Sequence, residues 1–196
     1  MKRLALLPLI LASAAFGTTQ LAVDVPSLSQ SSDVIVLGTV VGSAPRLTLD
    51  GRRIVTDTEI QVTEVLKGKP QSSTVVVIQA GGIVGDVGQR VEGTARFAVG
   101  EEVVVFLDRR GAERFAVTAM SQGKFRVERS SDGKTAYAVP EGAGASMLID
   151  PLTRQETGSP LKTLPLDELK AQIAAALASP APVVAPARPE LNRTRK

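Results

Sequence analysis

Asp33-Val34-Ile35-Val36-Leu37-Gly38-Thr39-Val40-Val41 is almost unbroken in apolarity and rich in branched β-carbons. Such side chains fit a pleated surface and crowd a helix, so the stretch reads as a strand. Its lack of alternation predicts burial on both faces. Downstream, Asp50-Gly51 marks a turn, and residues 53–66 alternate. Ile54, Thr56, Thr58, Ile60 and Val62 point one way, and Asp57, Glu59, Gln61 and Thr63 the other. The phase breaks at Val65-Leu66, which predicts a bulge or a strand end, and residues 67–70 read as a loop.

The same composition continues along the chain. Residues 74–79 (TVVVIQ) read as a third strand, and residues 89–97 as a fourth, interrupted at Gly93. Residues 102–108 (EVVVFLD) make a fifth, ended by Arg109-Arg110-Gly111, and residues 114–120 a sixth. Residues 124–129 and 135–139 read as a hairpin around Ser131-Asp132-Gly133. Residues 80–88, dense in glycine, are expected to be irregular. Strands recurring every 10–20 residues with no helical run between them indicate a mainly β protein. A small antiparallel barrel is favoured over a β-sandwich, because closure removes the exposed edges. Helical spacing appears once, at Leu166, Leu169, Ile173, Ala176 and Leu177, with Asp167 and Glu168 in the first turn. That amphipathic helix, residues 166–177, is expected to cover a mouth or flank of the barrel.

The two ends differ from the middle. Lys2 and Arg3, an apolar run over residues 4–15 and small residues at Ala15 and Gly17 form the pattern of a secretory signal peptide. The run is shorter than the roughly 20 residues of a spanning helix. Residues 1–17 are therefore read as a leader, residues 18–178 as one barrel domain and residues 179–196 as a disordered Pro/Ala/Arg tail. No cysteine near the cleavage point offers a lipid anchor, so the expected location is periplasmic or extracellular. The formal charge of +3 belongs to the ends, since residues 18–179 carry 17 basic and 19 acidic side chains. With few aromatics as well, that balance argues against nucleic acid as a ligand.

The chain of 196 residues has no Cys and no His. Thiolate nucleophiles, histidine general bases, Cys/His zinc sites and haem ligation are therefore excluded. Ser121-Gln122-Gly123-Lys124 matches the S-x-x-K pattern of penicillin-binding enzymes. That chemistry needs a helix start, however, and here the flanking strands predict a turn. Gly81-Gly82-Ile83-Val84-Gly85-Asp86-Val87-Gly88 lacks the Gly-Lys-Ser/Thr ending of a phosphate loop and reads as a surface loop able to touch a partner. Asp132 and Asp150 belong to no calcium-loop pattern. Glu101-Glu102 are adjacent and face opposite sides of a strand. No cofactor or metal is expected.

Four segments carry a resemblance. Residues 33–40, Glu64-Val65-Leu66-Lys67-Gly68, Phe97-Ala98-Val99-Gly100-Glu101 leading into residues 104–107, and Ser121-Gln122-Gly123-Lys124-Phe125-Arg126-Val127 resemble a group of exported bacterial proteins of undefined function. The layout is also similar to netrin-like modules, including the tissue inhibitors of metalloproteinases. The resemblance covers residues 30–128 and implies the oligonucleotide/oligosaccharide-binding (OB) barrel with terminal helices. Those inhibitors chelate the target's zinc through an N-terminal cysteine, so that mechanism has no residue here. The expected function is a non-catalytic binding module whose ligand is a protein, such as a secreted protease, or a surface polymer. Its expected contacts are Gly82, Gly85 and Asp86 in the glycine loop, and Gln122, Lys124 and Phe125. The competing expectations are a structural matrix protein and a hydrolase using Ser121 and Lys124.

Overall fold

A computed structural model describes residues 18–111, 113–142 and 146–179. The leader reading of residues 1–17, and all of the tail reading beyond Ser179, lie outside them. In chain order the elements are β1 (Thr19–Leu21), α1 (Val25–Ser31), β2 (Val34–Leu47), β3 (Ile54–Lys67), β4 (Thr74–Ala80), β5 (Gly82–Val84), β6 (Val87–Gln89) and β7 (Glu102–Arg109). There follow β8 (Arg114–Val117), a 3-10 turn (Met120–Gly123), β9 (Lys124–Arg129), β10 (Ala136–Pro140), β11 (Met147–Ile149), β12 (Leu164–Pro165) and α2 (Leu166–Ala178).

Five strands close a barrel in the ring order β2-β3-β4-β8-β7. All junctions are antiparallel except β4–β8, which is parallel over Val76↔Arg114 and Val77↔Phe115. The protein is thus the small OB-like barrel expected, with a closed ring in place of a sandwich. Strands β2 and β7 sit between two cores. Val34, Val36, Val103, Val105 and Leu107 point into the barrel with Ile60, Val75, Val77 and Phe115. Ile35, Leu37, Val104 and Phe106 point outward, against Phe125, Val127 and Ala138 and the helical residues Leu28, Leu169 and Ile173. This double burial is the reason both strands lack alternation. Phe106 and Phe125 rings lie 5.9 Å apart, tilted by 51°, a favourable aromatic geometry. Leu169 and Ile173 are 0% and 1% exposed, and burial of such a side chain stabilises by roughly 1.5–3 kcal/mol.

Registers between β2 and β3 shift at three places. One lies between Val36↔Val65 and Ile35↔Lys67, which leaves Leu66 as the extra residue. There the sequence phase breaks. Leu66 turns to the outer core with the helices, whereas Val62 packs in the barrel.

Several expectations are corrected. Residues 82–89 are not irregular but form the β5–β6 hairpin, with Gly85-Asp86 at its turn and Gly85 at φ 58°, a conformation glycine adopts without penalty. Residues 90–101 are a loop, not a fourth strand, because their polar atoms are held by side chains instead of a ladder. The sixth strand stops at Val117, where Ala119 and Met120 take left-handed φ values of 51° and 59°. The expectation of a single helix missed α1. Asp24 caps it through a 2.8 Å bond from the Ser27 amide, and Pro26 lies in its first turn. Strands β1, β11 and β12 were also unforeseen; β1 and β11 pair in parallel away from the barrel sheet.

A seven-residue helix has little stability of its own. Its C-terminal carbonyls are gathered by Lys67, whose Nζ donates to Ser29, Gln30 and Ser32 oxygens at 2.8, 3.0 and 2.6 Å. Glu64 of the same segment pairs with Lys170 of α2 at 2.5 Å. Lys67→Met is expected to lower stability by about 1.5–3 kcal/mol. The readout is a lower urea midpoint with unchanged slope.

Candidate binding groove

The site is built at a break in one strand edge. On the same side of β7, residues 107–109 pair with β8 and residues 103–105 with β9. Between the two lies the left-handed pair Ala119-Met120, conformations that cost of order 1–3 kcal/mol each in non-glycine residues. The chain then turns inward, so that Ser121, Gln122 and Lys124 are 3%, 1% and 3% exposed. A Cβ at Gly123 would collide with the Thr118 carbonyl oxygen, so the turn closes only with glycine there.

The three polar side chains differ in what they hold. Gln122 ties the N-terminal segment, which pairs with β11, to the 3-10 turn. Its Oε1 accepts from the Val23 amide at 3.2 Å, and its Nε2 donates to the Leu21 carbonyl at 3.0 Å and to Gln20 Oε1 at 3.3 Å. Lys124 holds the 90–101 loop. Its Nζ donates to both Glu101 oxygens at 2.9 Å and to the Arg96 carbonyl, lies 3.3 Å from Glu141 Oε2, and sits 4.7 Å from the Phe97 ring centroid. The backbone of Ser121 joins in, its amide donating to the Gly93 carbonyl at 2.9 Å. The Ser121 hydroxyl has no hydrogen-bond partner.

Although its hydroxyl oxygen is itself closed to solvent, Ser121 lines a cleft of about 550 Å³, bounded by Gly81-Gly82, residues 89–97 and Glu141. Thr58 reaches it from the β3 side, and Gln79 ties the far wall by donating to the Ala95 carbonyl. Among the described residues, four buried side-chain polar atoms lack a hydrogen-bond partner. Three of them, Thr58 Oγ1, Ser121 Oγ and Glu141 Oε2, belong to residues lining this one cleft. Glu141 Oε2 has Lys124 as an ionic neighbour at 3.3 Å without hydrogen-bond geometry, while Oε1 accepts from the Arg96 amide at 2.7 Å. A second cleft, of about 370 Å³, meets the first at Arg96, Phe97 and Glu141 and includes Lys124 in its lining.

Of the residues singled out in the sequence, Gly82 lines the groove. Gly85 and Asp86 are exposed at the hairpin tip, outside the cleft lining. Lys124 is present beneath the second cleft, but as a buried ion-pair partner. Gln122 and Phe125 are 1% and 0% exposed, so the contact role expected for them is corrected: they build the interior and present nothing to a partner. Thr58 and Glu141 were missed. Thr58 carried a signal, a hydroxyl in phase with Ile54, Ile60 and Val62; Glu141 carried none.

Ser121 and Lys124 stand on a turn between two strands and not at the start of an α-helix. The lysine hydrogens are engaged by the two Glu101 carboxylate oxygens and the Arg96 carbonyl. Glu101 and Glu102 turn to different cations, Lys124 and Arg129. Asp132 and Asp150 serve their own turns. The Ser130 hydroxyl and Lys134 amide hold the Asp132 carboxyl below its usual range. The Thr153 and Leu152 amides do the same for Asp150. Among the described residues no group of three or more candidate metal ligands converges, and no helix is long and apolar enough to cross a membrane. No protein-family model matches the chain, and no curated protein matches it.

Lys124→Met leaves Glu101 and Glu141 without their shared cation and is expected to lower stability by about 3–5 kcal/mol. Gln122→Leu strips partners from the Val23 amide and Leu21 carbonyl and should cost about 1–3 kcal/mol. Urea denaturation of both variants checks the order.

Proposed function

We propose that this protein is an exported, non-catalytic binding module of the cell envelope or extracellular space, holding a protein or surface-polymer ligand in the groove between the β5–β6 hairpin and the 90–101 loop. The observation that carries this reading is one concave cleft of about 550 Å³ whose wall holds Thr58 and Ser121, each with a buried hydroxyl that has no hydrogen-bond partner. A buried hydroxyl without a partner destabilises a fold by about 1–3 kcal/mol. Two of them in the wall of one cleft are explained by a ligand that completes their bonding as the wall adjusts around it. Residues 2–17 support export by their basic-then-apolar pattern. The engagement of Lys124 with Glu101 supports a non-catalytic role, since the amine is arranged as a donor and not as a base for Ser121.

Immobilised protein exposed to the envelope and medium fractions of its source identifies the ligand, and titration then compares variants. Thr58→Val and Ser121→Ala together should weaken binding by about tenfold or more. The same pair should leave the melting temperature unchanged or raised, because no internal bond is lost. Equal affinity in the double variant would contradict the reading. A fluorophosphonate probe is expected to leave Ser121 unlabelled; labelling abolished by Ser121→Ala would favour the hydrolase instead.

A further inference from the structure

We infer that the partner is a protein that docks an acidic residue on Arg96 and seats an aliphatic neighbour of that residue in the second cleft. This rests on the binding-module reading and names the partner's contact. Arg96 stands where the two clefts meet, in the lining of both. Its backbone is held on both sides: the amide donates to Glu141 Oε1 at 2.7 Å, and the carbonyl accepts from Lys124 Nζ. Lys124 is 3% exposed, so the ionic network beneath the loop anchors residue 96 from the interior. The guanidinium takes no part in that network. It is exposed, and among the described residues no carboxylate or carbonyl engages it. Strong internal bonds thus fix the position of a side chain that does nothing for the fold, and a contact group fixed before binding loses less freedom when a partner arrives.

The charges nearby identify what this group meets. Each carboxylate in the two linings already has a cation: Glu92 pairs with Arg90 at 2.5 Å, and Glu101 and Glu141 share Lys124 at 2.9 and 3.3 Å. Arg126, also in the second lining, pairs with Glu128. Arg96 is the cation left over, so the junction carries one unbalanced positive charge. One such charge fits a monovalent carboxylate, which a planar guanidinium grips through two parallel hydrogen bonds. A phosphate dianion would bring its second negative charge to a wall that holds Glu101 and Glu141.

The second cleft supplies the apolar half of the contact. It encloses about 370 Å³, and beside Arg96 it is lined by Phe97, Ala98, Val139 and Pro140. Ala98 is exposed and the other three are half-buried, so apolar surface is left open to a partner. A leucine-sized side chain placed there removes apolar area from water on both molecules. An acidic polysaccharide offers the carboxylate but no aliphatic group for such a space. A protein surface offers both from neighbouring residues, which is why the occupant is a protein carrying an acidic residue beside an aliphatic one.

The test titrates the purified protein with three probes: a blocked octapeptide with one glutamate beside one leucine in a Gly/Ser background, its glutamine counterpart, and hexagalacturonate. Binding is followed by NMR shifts of the backbone amides and of the Arg96 Nε–H. The glutamate peptide is expected to bind saturably at millimolar concentration, to shift the Arg96 Nε–H and the amides of Ala98 and Val139, and to weaken as salt rises. Glutamine in the peptide, or Arg96→Gln in the protein, should each weaken binding by about fivefold. Arg96→Gln should melt with the wild type, because the lost guanidinium makes no internal bond. Equal binding of the two peptides, binding of hexagalacturonate alone, or binding of no probe overturns the inference. The natural ligand captured on immobilised protein separates that failure from failure of the wider reading. If its capture depends on Thr58 and Ser121 but not on Arg96, the binding module stands and the Arg96 contact falls. A captured ligand indifferent to all three substitutions removes both.

Discussion

A buried ammonium between two carboxylates is the interaction on which the groove depends. Lys124 lies where β9 joins β7, inside the protein, and its charge is tolerable only because Glu101, Glu141 and the Arg96 carbonyl surround it. Those three partners come from two segments, the 90–101 loop, which supplies Glu101 and the Arg96 carbonyl, and the residue after β10. Two residues earlier, Gln122 performs the equivalent task without charge, holding residues 20–23 against the barrel. The Ser121-Gln122-Gly123-Lys124 sequence is therefore a hub that gathers irregular segments, and its resemblance to a catalytic motif is a matter of spelling. The 90–101 loop has no ladder of its own and is held largely by side chains, whereas the N-terminal segment adds Gln122 to its pairing with β11.

Placing a polar hub inside a barrel needs the chain to leave the strand edge. Ala119 and Met120 achieve this with left-handed backbone in residues that disfavour it. Strain of this kind persists where surrounding bonds over-determine it, and here they do: the Thr118 amide is bonded to Phe106, the Ser121 amide to Gly93 and the Gln122 side chain to the N-terminal segment. The same turn leaves the Ser121 hydroxyl without an internal partner, in the wall of the cleft that Thr58 also lines. Stability is sacrificed at one place, and that place is concave. Such a trade of stability for a prepared surface is characteristic of binding sites.

The fold was legible because burial on one or two faces writes itself into side-chain order. The unbroken runs at residues 34–37 and 103–107 announced the two strands shared by both cores, and Leu66 marked its bulge by a change of phase. The helix α1 was less visible, since seven residues show barely two turns, yet Asp24 followed by Pro26 is a start signal in its own right. The 90–101 loop was misread as a strand because Val91, Ala95 and Phe97 alternate. Nothing local says that the backbone of Arg96 among them is held by the side chains of Lys124 and Glu141, more than twenty residues away in sequence. For the groove, Thr58 was the readable residue, a hydroxyl on an apolar face. Glu141 and the left-handed Ala119-Met120 pair depend on tertiary closure and leave no pattern in sequence.

Native-state hydrogen exchange tests the hub most directly, because the amides of Val23, Arg96 and Ser121 lie in three separated segments and are bonded to Gln122, Glu141 and Gly93 respectively. If the hub organises these segments, the three amides share one opening free energy, close to that of the neighbouring barrel amide of Thr118. Exchange of Val23 and Arg96 at open-loop rates while Thr118 stays protected would contradict the account.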